Sequence, residues 1–169
     1  LYHAGEFERA VAAGLEAADA SGVNAANKAA CIYGTYLERS DAKKLALFQE
    51  VAARCEALQA DEPNNANAYY WPAYALGRYS QGISVAKALT QGLGSKVKSA
   101  LERTITLAPK HADAHIVLGT FHAEVIDKVG GIVAAMTYGA KKDSALEHYQ
   151  KALKLNPDSA IARIEYANG

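Results

Sequence analysis

Three prolines set the frame of this chain. Pro63, Pro109 and Pro157 each open the same phrase, Pro-x-x-Ala-x-Ala, running to Ala68, Ala114 and Ala162. Proline lacks an N–H and its ring clashes with the preceding turn, so it ends a helix. Two polar residues then make a turn, and small alanines let the next helix approach its neighbour closely. Apolar or small residues stand twelve and eight positions before each proline: Val51 and Cys55, Val97 and Leu101, Ala145 and Tyr149. A helical phrase recurring at a fixed point is the signature of a repeat array, in which each unit buries its apolar face on the next. The expected fold class is therefore all-α, an α-solenoid of antiparallel helix pairs.

The bulk numbers agree. Half the residues are hydrophobic and 21% are charged, as in an ordinary globular chain. Lys plus Arg equals Asp plus Glu at 18 each, so there is no basic excess of the kind a nucleic-acid binder carries. No stretch reaches the roughly 18 apolar residues of a membrane span. The longest apolar run, Val129 to Ala140, is too short. The chain reads as one repeat domain over 1–169, truncated at both ends, a soluble domain that is either cytoplasmic or exported. Its helix pairs are expected near 1–20, 24–62, 66–108 and 112–156, with a partial one at 159–169. Individual helices are expected near 6–19, 24–39, 41–60, 66–89, 96–107, 112–128, 144–155 and 159–169. A short extra helix is expected around 132–138.

Finer motifs carry a resemblance. His115-x2-Leu118-Gly119-x2-His122 lies in a first helix; Ala145-x3-Tyr149 and then Pro157 follow in a second. Leu76-Gly77 repeats the Leu-Gly element. The chain resembles the tetratricopeptide (TPR) superfamily over nearly its whole length. It departs from it in period: the prolines are 46 and 48 residues apart, against the usual 34. The extra length falls at 82–95 and 129–142, between first and second helices. Such elongated repeats resemble the regulator of microtubule dynamics family. Ala68-Tyr-Tyr-Trp71 through Thr106-Leu-Ala-Pro109, and His111 through Gly119, carry that likeness. The TPR lipoproteins associated with TRAP transporters are a looser one.

The resemblance implies a concave groove built from first helices, with no catalytic residue and no cofactor. It maps the groove onto Trp71, Tyr74, Arg78 and Gln81 in one repeat, and onto Asp113, Ile116, Thr120 and Ala123 in the next. Arg78 is the expected charged anchor, because a guanidinium fork suits carboxylates. The apolar insert adds Met136 and Tyr138. The expected partner is a peptide or protein; the alternative is a small apolar or lipid-like ligand held between groove and inserts.

Other candidates read as structure. Cys31 and Cys55 fall at different levels of adjacent helices, about 10 Å apart at 1.5 Å per residue, beyond disulfide reach. His122 lies on roughly the same helix face as His115, but His111 belongs to the turn and no third convergent metal ligand stands around His111 and His115, so the histidines are expected to pack rather than bind metal. Gly92-Leu-Gly94-Ser95-Lys96 lacks phosphate-loop spacing and reads as an interhelical loop with Ser95 capping the next helix. The aromatic cluster Tyr69, Tyr70, Trp71, Tyr74 and Tyr79 cannot all face one side of a helix.

Overall fold

The residue two places after each framing proline turns out to be a helix N-cap. A computed structural model describes residues 1–169. In it Asn65, His111 and Ser159 accept hydrogen bonds from the backbone N–H groups of Asn67 (3.1 Å), Ala114 (3.1 Å) and Ala162 (3.2 Å). Each satisfies one of the orphan donors at a helix start. Proline therefore stops one helix and its second neighbour starts the next. Asp19 and Ser40 cap in the same way, accepting from Gly22 N–H at 2.7 Å and Lys43 N–H at 3.4 Å.

The chain is all-helical. A 3-10 turn at Tyr2–Ala4 precedes α1 (Phe7–Glu16), α2 (Ala20–Tyr36), α3 (Asp41–Asp61), α4 (Ala66–Gln81) and α5 (Val85–Thr90). Then come α6 (Leu93–Leu107), α7 (Ala112–Val129), α8 (Gly131–Tyr138), α9 (Lys142–Leu155) and α10 (Ala160–Asn168). Two expectations are corrected. The helix expected over 66–89 breaks at Gly82, where Ile83 and Ser84 separate α4 from α5. Ser95 lies inside α6, whose N-cap is Gly92 in the left-handed region at φ 63°. The extra helix near 132–138 is present as α8. No helix is long and apolar enough to cross a membrane.

The chain forms two compact units, 1–84 and 85–169, each a stretch of TPR-like helix pairs. In the first unit α1 packs on α2, α3 on α4, and α2 on both α3 and α4. Glycines set the closest approach: a Cβ on Gly22 would collide with the Gly14 carbonyl and the Ala17 side chain. α4 carries Pro72 in its interior. Proline cannot donate to the carbonyl four residues back, which is that of Ala68, a fully buried residue. The Gln59 side-chain amide donates to that carbonyl instead, at 2.8 Å from α3.

The positions twelve and eight before the prolines, Val51, Cys55, Val97, Leu101, Ala145 and Tyr149, are all buried. Cys31 and Cys55 are free thiols in the core. Cys55 Sγ accepts from Asn27 Nδ2 at 3.1 Å, and Arg54 donates to Asn27 Oδ1 at 2.9 Å. Burial pushes the Cys31 thiol up and the Cys55 thiol up to about 12, so both stay protonated and unreactive.

In the second unit α7 is central, packed by α6, α8, α9 and α10. The two inserts meet here. Tyr138 of α8 lies over Gly94 of α6, so close that a Cβ there would sit 2.6 Å from its ring.

Candidate functional site

The five clustered aromatics of α4 divide between core and surface. Tyr70, Trp71 and Tyr79 are buried. Tyr69 is exposed enough for its hydroxyl to reach back over the turn, where it donates to the Pro63 carbonyl at 3.1 Å. Tyr74 is half-buried on the side facing α2. Its hydroxyl lies 3.1 Å from Thr35 Oγ1, which itself donates to the Cys31 carbonyl at 2.7 Å. The Tyr74 hydroxyl is therefore the donor to Thr35. Trp71 braces the Tyr74 ring edge-on, 6.1 Å between centroids.

Arg78 sits one turn further on. Its guanidinium lies 5.3 Å from the centre of the Tyr74 ring, a cation–π arrangement. It also donates to Gln81 Oε1 at 3.1 Å. Two independent contacts hold the guanidinium in one orientation while the residue stays only half-buried. Tyr2 closes the other end of this face: burial and the neighbouring Tyr74 phenol push its hydroxyl up, and Lys28 Nζ stands 4.9 Å over its ring. The expected residues Tyr74, Arg78 and Gln81 thus come together with Thr35, Lys28 and Tyr2. The last three were missed, because nothing in the spacing of α2 or the N-terminus marks them. Trp71 supports this face from the core.

The equivalent positions of α7 meet a different fate. Ile116 is 4% exposed and packs with Ala152 and Ala162, so it is core and presents no surface. Thr120 donates to Glu165 Oε2 at 3.3 Å and accepts from the Tyr149 hydroxyl at 3.2 Å, tying α7 to α10 and α9. Ala123 is half-buried. The reason is α10: as the next first helix it packs directly on α7 and covers the expected groove. Asp113 remains exposed in the first turn of α7. The two insert residues also separate. Met136 is 82% exposed with Ile132 at 79%, whereas Tyr138 turns inward to meet Phe121 edge-on at 6.3 Å.

A histidine cluster lies between α7 and α9. His115 Nε2 is 3.3 Å from the Pro109 carbonyl, which only accepts, so Nε2 carries the proton. Its Nδ1, 3.0 Å from His148 Nδ1, is then the acceptor and His148 the donor. His122 Nδ1 accepts from Lys141 N–H at 3.3 Å, and its ring stacks on His148 at 6.0 Å. No three His, Cys, Asp or Glu side chains converge to hold a metal ion. His148 lies 33 residues from His115, and no motif links the two.

Burial, with His115 and His122 alongside, holds His148 down at about 4. Burial also lowers His111, His115 and His122. These depressed values mean the neutral rings stabilise the fold. That contribution is complete above the unfolded value of about 6.5 and is lost as pH falls towards 4. The melting temperature should therefore drop between about pH 7 and pH 4.5, and His148→Leu should flatten the drop. Melting curves across that range, compared with the wild type, check this.

A thermophilic TPR protein from Thermus thermophilus aligns over 96% of this chain and 97% of its own, at 16% identity and a TM-score of 0.41. No curated protein matches. The family described as regulator of microtubule dynamics protein 1-3 matches residues 1–167. An all-helical chain with elongated Pro-framed repeats, matched over all but its last two residues, belongs to the regulator of microtubule dynamics family.

Proposed function

We propose that this chain is a non-catalytic interaction scaffold that recognises a peptide or protein segment on the first-helix face of its N-terminal unit. The observation that carries the reading is the preset guanidinium of Arg78, stacked on Tyr74 and held by Gln81. Fixing an arginine before binding removes ordering entropy from the binding step, and a planar fork suits a carboxylate. Thr35 of α2 holds the Tyr74 hydroxyl, and Lys28 sets a second cation over Tyr2 at the other end of the face. The favoured partner is therefore a segment with a carboxylate flanked by apolar or aromatic residues. In the C-terminal unit Asp113 is the exposed candidate on α7, and Met136 the exposed one on α8. The family name points to a role around microtubules, and a scaffold of this kind fits one.

Replacing Arg78 with Ala should weaken partner binding by about 2 kcal/mol, roughly thirtyfold, with the helical circular dichroism unchanged. Calorimetric titration with the purified partner measures it. An unchanged Kd would overturn the reading.

A second reading has one observation in its favour. Ile132, Val133 and Met136 of α8 are 79%, 50% and 82% exposed, an apolar surface suited to a lipid-like ligand. Native mass spectrometry after mild purification decides it: a retained hydrocarbon mass supports this reading, and a bare polypeptide mass speaks against it.

A further inference from the structure

The N-terminal unit also carries a groove that the first-helix face does not involve. It runs between α1 and α3, with α2 as its floor, and has a volume of about 360 Å³. The gap exists because small residues stand where bulky ones would fill it: Ala30 on the floor and Ala46 on the α3 wall. Phe7 and Val11 line the α1 wall, one helical turn apart, and Leu47 faces them from α3. All three are only half-buried, so the trough leaves apolar surface partly in contact with water.

Its rim is acidic. Glu8 of α1, Glu38 of the α2–α3 connection and Glu50 of α3 border it, and Lys43 is the one cation among the lining residues. Glu38 is fixed in place: its carboxylate accepts from Ser40 N–H at 2.8 Å and from the Tyr33 hydroxyl at 3.4 Å. The whole chain is neutral, so this local excess of two negative charges is a property of the groove.

We propose that this groove seats a basic amphipathic segment of a protein partner, one bulky apolar side chain in the trough and flanking Lys or Arg on Glu8 and Glu50. Charge complementarity selects the occupant. Anionic bilayers and nucleic acids meet like charge at the rim, whereas an apolar side chain between two cations meets opposite charge on both sides. The volume falls at the small end of ligand pockets, roughly 300–1,000 Å³, which suits an anchor side chain rather than a whole helix.

The test uses the full chain and two designed amphipathic peptides of about 15 residues, one of Leu and Lys, its twin of Leu and Glu. Amide chemical shifts in 15N–1H correlation spectra locate the peptide, and titration of those shifts measures affinity. The Leu/Lys peptide should shift signals of residues 7–11, 30–33 and 43–50, and bind about tenfold or more tightly than its twin. Glu8→Lys with Glu50→Lys should weaken it by about the same factor. Ala46→Phe, at an exposed position, should block it by filling the trough while the helical spectrum is kept. Equal binding of both peptides, shifts confined to other surfaces, or full binding to Ala46→Phe would each overturn the proposal. The last outcome would mark the attraction as charge alone, with no use of the groove.

Discussion

Gly119→Leu should destabilise the C-terminal unit by about 3 kcal/mol, at the upper end of ordinary overpacking. A Cβ at this position already meets Tyr149 Cε1 at 2.9 Å and Cδ1 at 3.0 Å, with the Ala145 carbonyl at 3.2 Å. Tyr149 cannot step aside. It is 1% exposed, stacked on Tyr166 at 5.4 Å and hydrogen-bonded to Thr120. The Ala145 carbonyl is backbone, fixed by α9. A leucine therefore forces α9 away from α7, along the most extensive contact of the unit. At about 2–4 °C per kcal/mol for a chain of this size, the melting temperature should fall by roughly 6–12 °C. Differential scanning calorimetry measures it, and a wild-type melting temperature would refute the α7–α9 contact.

Phe48→Ala is the matching experiment in the N-terminal unit, acting by the opposite means. Phe48 is 2% exposed and its ring edge approaches Gly34 of α2, where a Cβ would lie 3.1 Å from Cε1. Glycine at 34 and phenylalanine at 48 are thus a fitted pair. Removing the ring leaves a cavity that a glycine cannot fill, and rigid helices collapse into it only in part. The expected loss is about 3–5 kcal/mol, the range for buried aromatic truncation. Urea unfolding should show a lower midpoint with an unchanged slope. A midpoint equal to wild type would show that Phe48 is not in the α2–α3 core.

What could be read from the sequence depends on which physical rule leaves a local imprint. Helix stops and starts are local: Pro63, Pro109 and Pro157 each follow a helix end, and Asn65, His111 and Ser159 cap the next one. The repeat frame is therefore legible without tertiary information. The small-and-apolar positions before each proline are legible for the same reason, since a fixed offset from a helix end fixes the packing face. The break at Gly82 leaves only a weak imprint, because α4 and α5 both have helical composition. Surface assignment needs neighbours. Ile116 and Thr120 occupy groove register on α7, but α10 covers them, and that depends on where the chain folds back. The Pro72–Gln59 compensation joins residues of different helices, and so does the His115–His148 pair; neither is visible in spacing. Tyr74 and Arg78 are readable as a pair because four residues apart on one helix means adjacent.

The central claim is that α4 presents a partner-binding face, and site-specific photo-crosslinking tests it most directly. A photoreactive amino acid placed at Gln81, which is exposed beside Arg78, should form a discrete adduct with a polypeptide in the native cell extract. The adduct should vanish when Arg78→Ala is added, and should not form from the same probe at Glu56, exposed on α3. An equal adduct from Glu56, or an adduct at Gln81 that survives Arg78→Ala, would contradict the account.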